Sequence, residues 1–106
     1  MSGGYDTSPR YRASMNGSGN GDDRKTIGLA VRHVRERASM SKGEVESRAE
    51  LREGSLAAIE RGETSPTWGT LRRIVYAIGI SLPDLMREVE EVEAAVAESR
   101  KKADKG

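Results

Sequence analysis

The fold is decided by residues 51–62, which read Leu51-Arg52-Glu53-Gly54-Ser55-Leu56-Ala57-Ala58-Ile59-Glu60-Arg61-Gly62. On a helix, the apolar Leu51, Leu56 and Ile59 can face a core together. Gly62 comes shortly after them, and glycine is the residue that most often ends a helix in the left-handed conformation. These residues therefore predict a short helix, the third of the chain. Its outer surface is predicted to carry Arg52, Glu53, Ser55 and Ala58.

Two helices are predicted before this one. The first starts at Thr26 and ends near Ala38. Its inward residues are Ile27, Val31 and Val34. The second begins at a capping box, Ser41-Lys42-Gly43-Glu44, in which the serine hydroxyl and the glutamate carboxylate each accept a hydrogen bond from the other residue's backbone N–H. The residues that this second helix buries are Val45 and Ala49.

Two further helices are predicted after it. The fourth starts at Pro66-Thr67 and ends at Gly79. Its inward residues are Trp68, Leu71, Ile74, Val75 and Ile78, and Trp68 is expected in the core because large aromatic side chains bury most of their area. The fifth begins at a second capping box, Ser81-Leu82-Pro83-Asp84. No stretch alternates as a strand does, so the predicted fold class is all-α.

The chain of 106 residues is long enough for one small domain, and its composition changes along its length. Residues 1–24 are rich in glycine, asparagine and serine, so this segment is predicted to be a disordered tail. Residues 25–85 form the predicted folded domain, and residues 86–106 a C-terminal helix extension with a charged tail. The chain has no cysteine, which excludes a disulfide framework and a thiolate metal site. No metal and no cofactor are expected.

Hydropathy and charge bear on whether the chain binds a membrane or a nucleic acid. No apolar run approaches the ~18 residues of a membrane span, and no signal segment opens the chain, so a soluble cytoplasmic protein with no membrane partner is expected. The net charge is +1, but residues 25–83 carry ten basic and seven acidic side chains, and residues 84–106 carry five and seven. A mildly basic middle is compatible with nucleic-acid binding on one face, although most surface charges only solvate a protein.

Several short motifs occur in an order and at a spacing that resemble a known family. They are Ile27-Gly28, Val31-Arg32, Val34-Arg35, Met40-Ser41, Ile59-Glu60-Arg61-Gly62, Ser65-Pro66 and Ala77-Ile78-Gly79-Ile80-Ser81-Leu82. Over residues 27–85 the chain resembles the helix-turn-helix DNA-binding domains of the phage-repressor and Cro type, also called the xenobiotic-response-element type. The resemblance implies a five-helix, lambda-repressor-like domain whose third helix enters the major groove of double-stranded DNA.

The resemblance also implies roles for residues that do not contact bases. Arg35 and Glu60 match a structural ion pair that ties the first helix to the end of the third. Lys42 stands where relatives contact a phosphate, and Arg61, Ser65 and Thr67 fall where they grip phosphates on the other side. Such contacts position a domain on DNA without reading its sequence.

Base reading is expected from the positions that match the family's recognition helix. Arg52 can make a bidentate contact to guanine, and Glu53 can accept a hydrogen bond from the cytosine amino group. Ser55 can bond a base or a phosphate, and Ala58 can contact a thymine methyl group. Because so few residues can read bases, DNA shape and phosphate contacts are expected to supply more of the discrimination between DNA sequences.

Two residues depart from the family pattern in the turn between the second and third helices. Glu46 stands where relatives have a small residue, usually alanine, beneath the recognition helix. Either the second helix is reoriented so that Glu46 reaches solvent, or the motif has become a structural module. Glu50 stands where relatives often have a glycine with positive φ, a conformation that costs another residue ~1 kcal/mol.

From the fifth helix onward, an apolar seam of heptad spacing continues along the chain. It consists of Leu82, Leu85, Val89, Val92 and Val96. Leu85, Val89, Val92 and Val96 are predicted to form a dimer interface with a second copy. The alternative is a helix that folds back on its own domain or frays. Residues 98–106 are predicted to be a charged tail.

The expected function is that of a sequence-specific transcriptional regulator. A homodimer would place two third helices in successive major grooves of a pseudo-palindromic operator, ~34 Å apart, and act as a repressor. The alternative is a protein-interaction module, an antitoxin or adaptor that holds a protein partner through its acidic C-terminal helix. An enzyme is not expected, because the single histidine, His33, has no metal-ligand cluster or catalytic pair beside it and is expected to be solvated.

Overall fold

The structure is a computed structural model that describes the backbone of residues 20–105 and the side chains of residues 23–100. Within this range the chain forms five helices and no strand, which confirms the all-α prediction. The helices are α1 (Asn20–Arg37), α2 (Lys42–Ala49), α3 (Ser55–Glu60), α4 (Trp68–Ile78) and α5 (Leu82–Lys105). α1 packs against α3 and α5, whereas α2 packs against α3 and α4.

The core is built from the apolar stripes of all five helices. Its largest fully buried side chains are Val31, Val45, Leu56, Ile74 and Leu85. The predicted inward residues of the first three helices contribute to this core, as do four of the five predicted for α4. No helix in the described part of the chain is both long and apolar enough to cross a membrane.

The predicted caps at the starts of α2 and α5 and at the end of α3 are present. Ser41 and Glu44 form the capping box of α2, with backbone-to-side-chain distances of 2.8 and 3.1 Å. Ser81 and Asp84 form the equivalent box of α5, at 3.1 and 3.2 Å. Gly62 has φ 77°, as predicted for the residue that ends α3. It also packs against the N-terminal half of α1, because a Cβ there would lie 3.1 Å from the Cα of Lys25.

α1 begins earlier than the sequence analysis predicted. It starts at Asn20 and not at Thr26, so part of the segment 1–24, predicted to be disordered, is helical. In this longer helix the backbone of Lys25 rests on Gly62. Residues 1–19 of the predicted tail lie outside the described residues.

Gly28 allows α1 to approach α3 at backbone distance. A Cβ at this position would lie 2.2 Å from the carbonyl oxygen of Ile59 and 2.9 Å from that of Glu60. Both distances are shorter than any real side chain tolerates, so only glycine fits between the two helices. This contact sets the position of the C-terminal end of α3 relative to α1.

α5 folds back on its own domain along most of the predicted dimer seam. Leu85 and Val92 are buried in the core, and Val89 packs partly against it. These side chains therefore face α1 of the same chain, and of the predicted interface only Val96 is substantially exposed, at 39%. The helix also continues to Lys105, so the segment predicted as a charged tail from residue 98 is helical over that length.

Trp68 is not a core residue, contrary to the prediction. Its side chain is 61% exposed, while Leu71, Ile74, Val75 and Ile78 of the same helix are buried. Trp68 is the first residue of α4, and helical side chains lean toward the N-terminus. Its indole therefore projects past the end of the core and not into it.

Candidate nucleic-acid interface

The turn between α2 and α3 starts from a glutamate in the left-handed conformation. Glu50 has φ 58° and ψ 45°. Its N–H donates to the carbonyl of Ser47 at 3.3 Å, and the N–H of Leu51 donates to the carbonyl of Glu46 at 2.8 Å. This is the two-bond helix end that usually contains glycine. The positive φ that the family resemblance indicates for this position is therefore present with a glutamate side chain.

α3 is one turn shorter at its N-terminus than the sequence analysis predicted. It starts at Ser55, so Arg52 and Glu53 lie in the preceding turn and not on the helix. The reason is Gly54, whose φ of 87° lies outside the helical region. Ser55 closes the turn, because both its N–H and its hydroxyl donate to the carbonyl of Arg52, at 3.0 and 2.6 Å.

The four candidate base-reading residues thus come from two kinds of structure. Arg52 and Glu53 are exposed in the turn, while Ser55 and Ala58 are half-buried on α3. The hydroxyl of Ser55 already donates its hydrogen to Arg52, so it offers an incoming group only its acceptor lone pairs. Arg52 and Glu53, the two candidates with long side chains, therefore lie in the turn and not on α3.

The N-terminus of α3 is capped from another helix. Gly54 has no side chain with which to cap it. Oε2 of Glu46, on α2, instead accepts hydrogen bonds from the N–H groups of Gly54 and Leu56, at 2.9 and 3.0 Å. The Glu46 residue is only 7% exposed, so the alternative in which it reaches solvent is wrong. A carboxylate here satisfies two orphan donors and lies at the positive end of the helix dipole.

The C-terminal end of α3 is tied to α1 by the ion pair of Arg35 and Glu60. The guanidinium Nε and Nη2 donate to the two carboxylate oxygens at 2.7 and 3.0 Å, and Nη1 donates to the carbonyl of Met40 at 2.8 Å. The two side chains are 10% and 4% exposed. The hydrogen bond to Glu60 raises the pKa of Arg35 further above its usual value, against the opposing effect of burial.

Two candidate phosphate-binding residues line the same groove. Lys42 at the start of α2 and Arg61 at the end of α3 border an open groove of about 280 Å³, together with Arg32 and Ala57. Arg61 donates to both carboxylate oxygens of its neighbour Glu63, at 2.7 and 3.1 Å. Both members of this pair are more than half exposed, so a phosphate could exchange with the carboxylate at little cost.

The other two candidates lie in the segment that joins α3 to α4. Ser65 is exposed there. The hydroxyl of Thr67 accepts the N–H of Thr70 at 3.1 Å and is the N-cap of α4. Among the described residues, no group of three or more histidine or carboxylate side chains is arranged to hold a metal ion.

His33 takes part in an interaction that the sequence analysis missed. It was expected to be solvated, but its Nδ1 lies 2.9 Å from Oε2 of Glu88, while Arg37 donates to the other oxygen of the same carboxylate. Glu88 is buried, and its pKa is lowered chiefly by the hydrogen bond from Arg37, with a further contribution from His33. These residues connect α1 to α5, and a separation of more than 50 residues left no local signal for the contact.

The fold is shared with two crystal structures of the clp gene regulator ClgR from Corynebacterium glutamicum. One has a TM-score of 0.73 at 24% sequence identity and covers 77% of this chain and 87% of the other. The second has a TM-score of 0.63 at 24% identity and covers 66% and 90%. At this identity the likeness shows the arrangement of the helices.

Two sequence comparisons show the family. A family model described as a helix-turn-helix domain matches residues 26–89. An uncharacterized HTH-type transcriptional regulator of Sinorhizobium fredii, y4dJ, is 31% identical over 70 residues, which are 66% of this chain and 91% of that protein. The matched residues contain α2, the turn, α3 and both ends of the Arg35–Glu60 pair. The chain therefore belongs to the helix-turn-helix family of DNA-binding domains, of the phage-repressor and Cro type that its motifs indicated.

Proposed function

We propose that this protein is a transcriptional repressor that binds a pseudo-palindromic operator as a homodimer. The observation that carries the proposal is the groove shared by Lys42 and Arg61 beside α3. Two cations that line one groove can hold consecutive phosphates of a DNA strand, and in this proposal they bring the N-terminal end of α3 toward the base edges. Ser65 and Thr67, in the segment after α3, add phosphate contacts in this proposal.

Base recognition is proposed to come mainly from the turn before α3. Arg52 and Glu53 are exposed there on long side chains, and they pair with guanine and with the cytosine amino group. Ser55 and Ala58 read from α3 itself, by a hydroxyl acceptor and by contact with a thymine methyl group. Because only four residues contact bases in this proposal, we expect an operator with few strictly required bases. DNA deformability then contributes part of the selectivity.

The dimer contact is proposed near the exposed end of the predicted seam. Val96 borders an apolar groove of about 250 Å³ between α1 and α5, together with Leu29 and Ala95. Leu29 and Val96 are among the exposed large apolar residues. Since Leu85 and Val92 are occupied within the monomer, the proposed interface is limited to this groove and the helix beyond it.

A selection of bound sequences from random double-stranded oligonucleotides tests the proposal, with sedimentation of the complex to count subunits. An enriched inverted repeat with half-sites ~34 Å apart, bound by two chains, is the expected result. Log affinity should also fall steeply with log salt if each chain neutralises several phosphates. No enriched motif and a flat salt response would contradict DNA recognition, and a single chain per site would contradict the homodimer.

The exposed acidic surface of α5 favours a second candidate function. Glu90, Glu91, Glu93 and Glu98 are all exposed on this helix, whose net charge is opposite in sign to that of the domain before it. Such a surface suits a basic protein partner, as in an antitoxin or adaptor. The DNA selection separates the two functions, because an adaptor would enrich no sequence.

A further inference from the structure

The recognition helix of this chain is held at its N-terminus by a carboxylate from the preceding helix. We propose that Glu46 is the positioning residue of α3: its carboxylate fixes where that helix begins and how the turn residues Arg52 and Glu53 are presented, and so sets base preference. The part of the proposal that concerns base preference rests on the proposed function, whereas the capping of α3 by Glu46 can be tested on the free protein.

Glu46 replaces a cap that the local sequence does not provide. Three other helices have their own side-chain caps, from Ser41, Thr67 and Ser81. At α3 the N-cap is Gly54, and the hydroxyl of Ser55 is directed back to the carbonyl of Arg52. Without Glu46, the N–H groups of Gly54 and Leu56 would therefore lack the acceptor that both use in this structure.

The cap joins α2 to α3 by hydrogen bonds from a buried side chain. Glu46 is buried, and its carboxylate bonds both to the turn, through Gly54, and to the first turn of α3, through Leu56. The same residue's carbonyl accepts the N–H of Leu51 at 2.8 Å. One residue of α2 thus holds the beginning of the turn with its backbone and the end of the turn with its side chain. The exposed residues Arg52 and Glu53 lie between these two anchors.

The cap also has an electrostatic consequence for DNA binding. The N-terminus of a helix usually attracts phosphate because its N–H groups are free and its dipole is positive. In this chain an internal carboxylate occupies two of those N–H groups, so a phosphate is repelled from this end of α3 and the phosphate contacts remain at Lys42 and Arg61. Removing the charge should therefore raise affinity for all DNA while it loosens the presentation of the reading residues.

The experiment compares the full chain with Glu46→Ala, Glu46→Gln and Glu50→Gln. Amide hydrogen exchange of Gly54 and Leu56 is measured in the free protein, and base preference is measured by selection and by competition with a non-specific duplex. Glu46→Ala has the residue type usual in the family, and Glu46→Gln has the same size as glutamate with one carbonyl acceptor, so a folded variant remains available. Glu50→Gln is the matched control, because it removes the same charge from an exposed side chain of the same turn.

In Glu46→Ala we expect the exchange of both amides to accelerate by about tenfold or more, the factor that follows from loss of a charge-assisted hydrogen bond. Preference for the selected operator over the non-specific duplex should fall by a similar factor, while non-specific affinity rises. Glu46→Gln should lie between this variant and the wild type. Glu50→Gln should raise non-specific affinity slightly and leave exchange and base preference unchanged.

The outcomes separate this proposal from the proposed function. Unchanged exchange of Gly54 and Leu56 in Glu46→Ala would overturn the positioning role, whatever the DNA result. Faster exchange with an unaltered base preference would overturn its connection to recognition. A wild-type chain that selects no sequence contradicts the proposed function, and the exchange measurement on free protein still decides whether Glu46 holds the helix.

Discussion

Arg35 and Glu60 share two hydrogen bonds, at 2.7 and 3.0 Å, across the contact between α1 and the end of α3. The third nitrogen of the guanidinium bonds the carbonyl of Met40, just before α2. This one side chain therefore connects α1, the approach to α2 and the C-terminal end of α3. Because both partners are nearly buried, either one alone would leave a desolvated charge without its counterion.

Replacing Arg35 by alanine should lower the free energy of unfolding by ~3–5 kcal/mol, because it leaves the carboxylate of Glu60 buried and unpaired. Glu60→Gln should be destabilising for the converse reason. Urea unfolding of both single variants and the double variant measures the coupling between them. The exposed pair of Arg32 and Glu36 is the control, and Arg32→Ala should change stability by less than ~0.5 kcal/mol. Additive effects of Arg35→Ala and Glu60→Gln would contradict the pairing.

Gly28→Ala should destabilise the domain by at least ~1–3 kcal/mol, the usual cost of overpacking. The new methyl group would meet the carbonyl oxygen of Ile59 at 2.2 Å, and a backbone atom cannot move aside as a side chain does. Gly43→Ala is a matched control, because it lies in α2 with its nearest neighbour 4.0 Å away. That change should stabilise the protein by ~0.5–1 kcal/mol through helix propensity. Thermal unfolding of both variants measures the contrast, and equal melting temperatures would contradict the close approach.

The carboxylate of Glu88 should make stability depend on pH in the acid range. Hydrogen bonds from Arg37 and His33 hold its pKa below the usual value of 4.5. A carboxyl group whose pKa is lower in the folded state stabilises that state above its unfolded pKa and loses this contribution as the pH falls through its folded pKa. The difference in unfolding free energy between wild type and Glu88→Gln should therefore be largest above pH 4.5 and shrink below it. Denaturant titrations at several pH values measure this, and a difference independent of pH would contradict it.

Arg52→Ala and Lys42→Ala should affect DNA binding in different ways. Arg52→Ala should remove ~1–3 kcal/mol of discrimination at one base pair, because a bidentate contact to guanine is lost. Lys42→Ala should weaken binding to all sequences alike and reduce the slope of log affinity against log salt by about 1, because one phosphate contact is lost. Selection and salt titration of each variant measure the two effects. A uniform loss for Arg52→Ala, or a changed base preference for Lys42→Ala, would reverse the assigned roles.

The parts of the fold that could be predicted are those indicated by residues close together in the sequence. Ser41 and Glu44 are three positions apart, and so are Ser81 and Asp84, so their capping boxes can be read directly from the sequence. Gly62 and the apolar stripe of α4 are local signals of the same kind. The start of α3 was predicted one turn too early, because Gly54 leaves the helical region and the cap comes from Glu46, eight to ten positions away and on another helix.

Other features of the fold depend on which part of the molecule lies beside a residue, and the local sequence does not indicate this. The spacing of Leu85 and Val92 indicates an apolar face but does not say whether α1 of the same chain or a second copy covers it. Trp68 has a large aromatic side chain of the kind that is usually buried, but its place at the first position of α4 puts it beyond the core. The ion pair of Arg35 and Glu60 was identified through the family resemblance, because nothing in its spacing of 25 residues indicates a contact.

The packing of α1 against α5 has a consequence for the protein during its synthesis. α1 leaves the ribosome before α5, yet part of its apolar surface packs against α5, whose buried Leu85 and Val92 are made after the core residues of the other described helices. Until α5 has emerged, the nascent chain exposes that surface while the helix-turn-helix segment is already outside the tunnel. The complete domain therefore becomes available for DNA only after α5 has emerged, when α1 and α5 can meet.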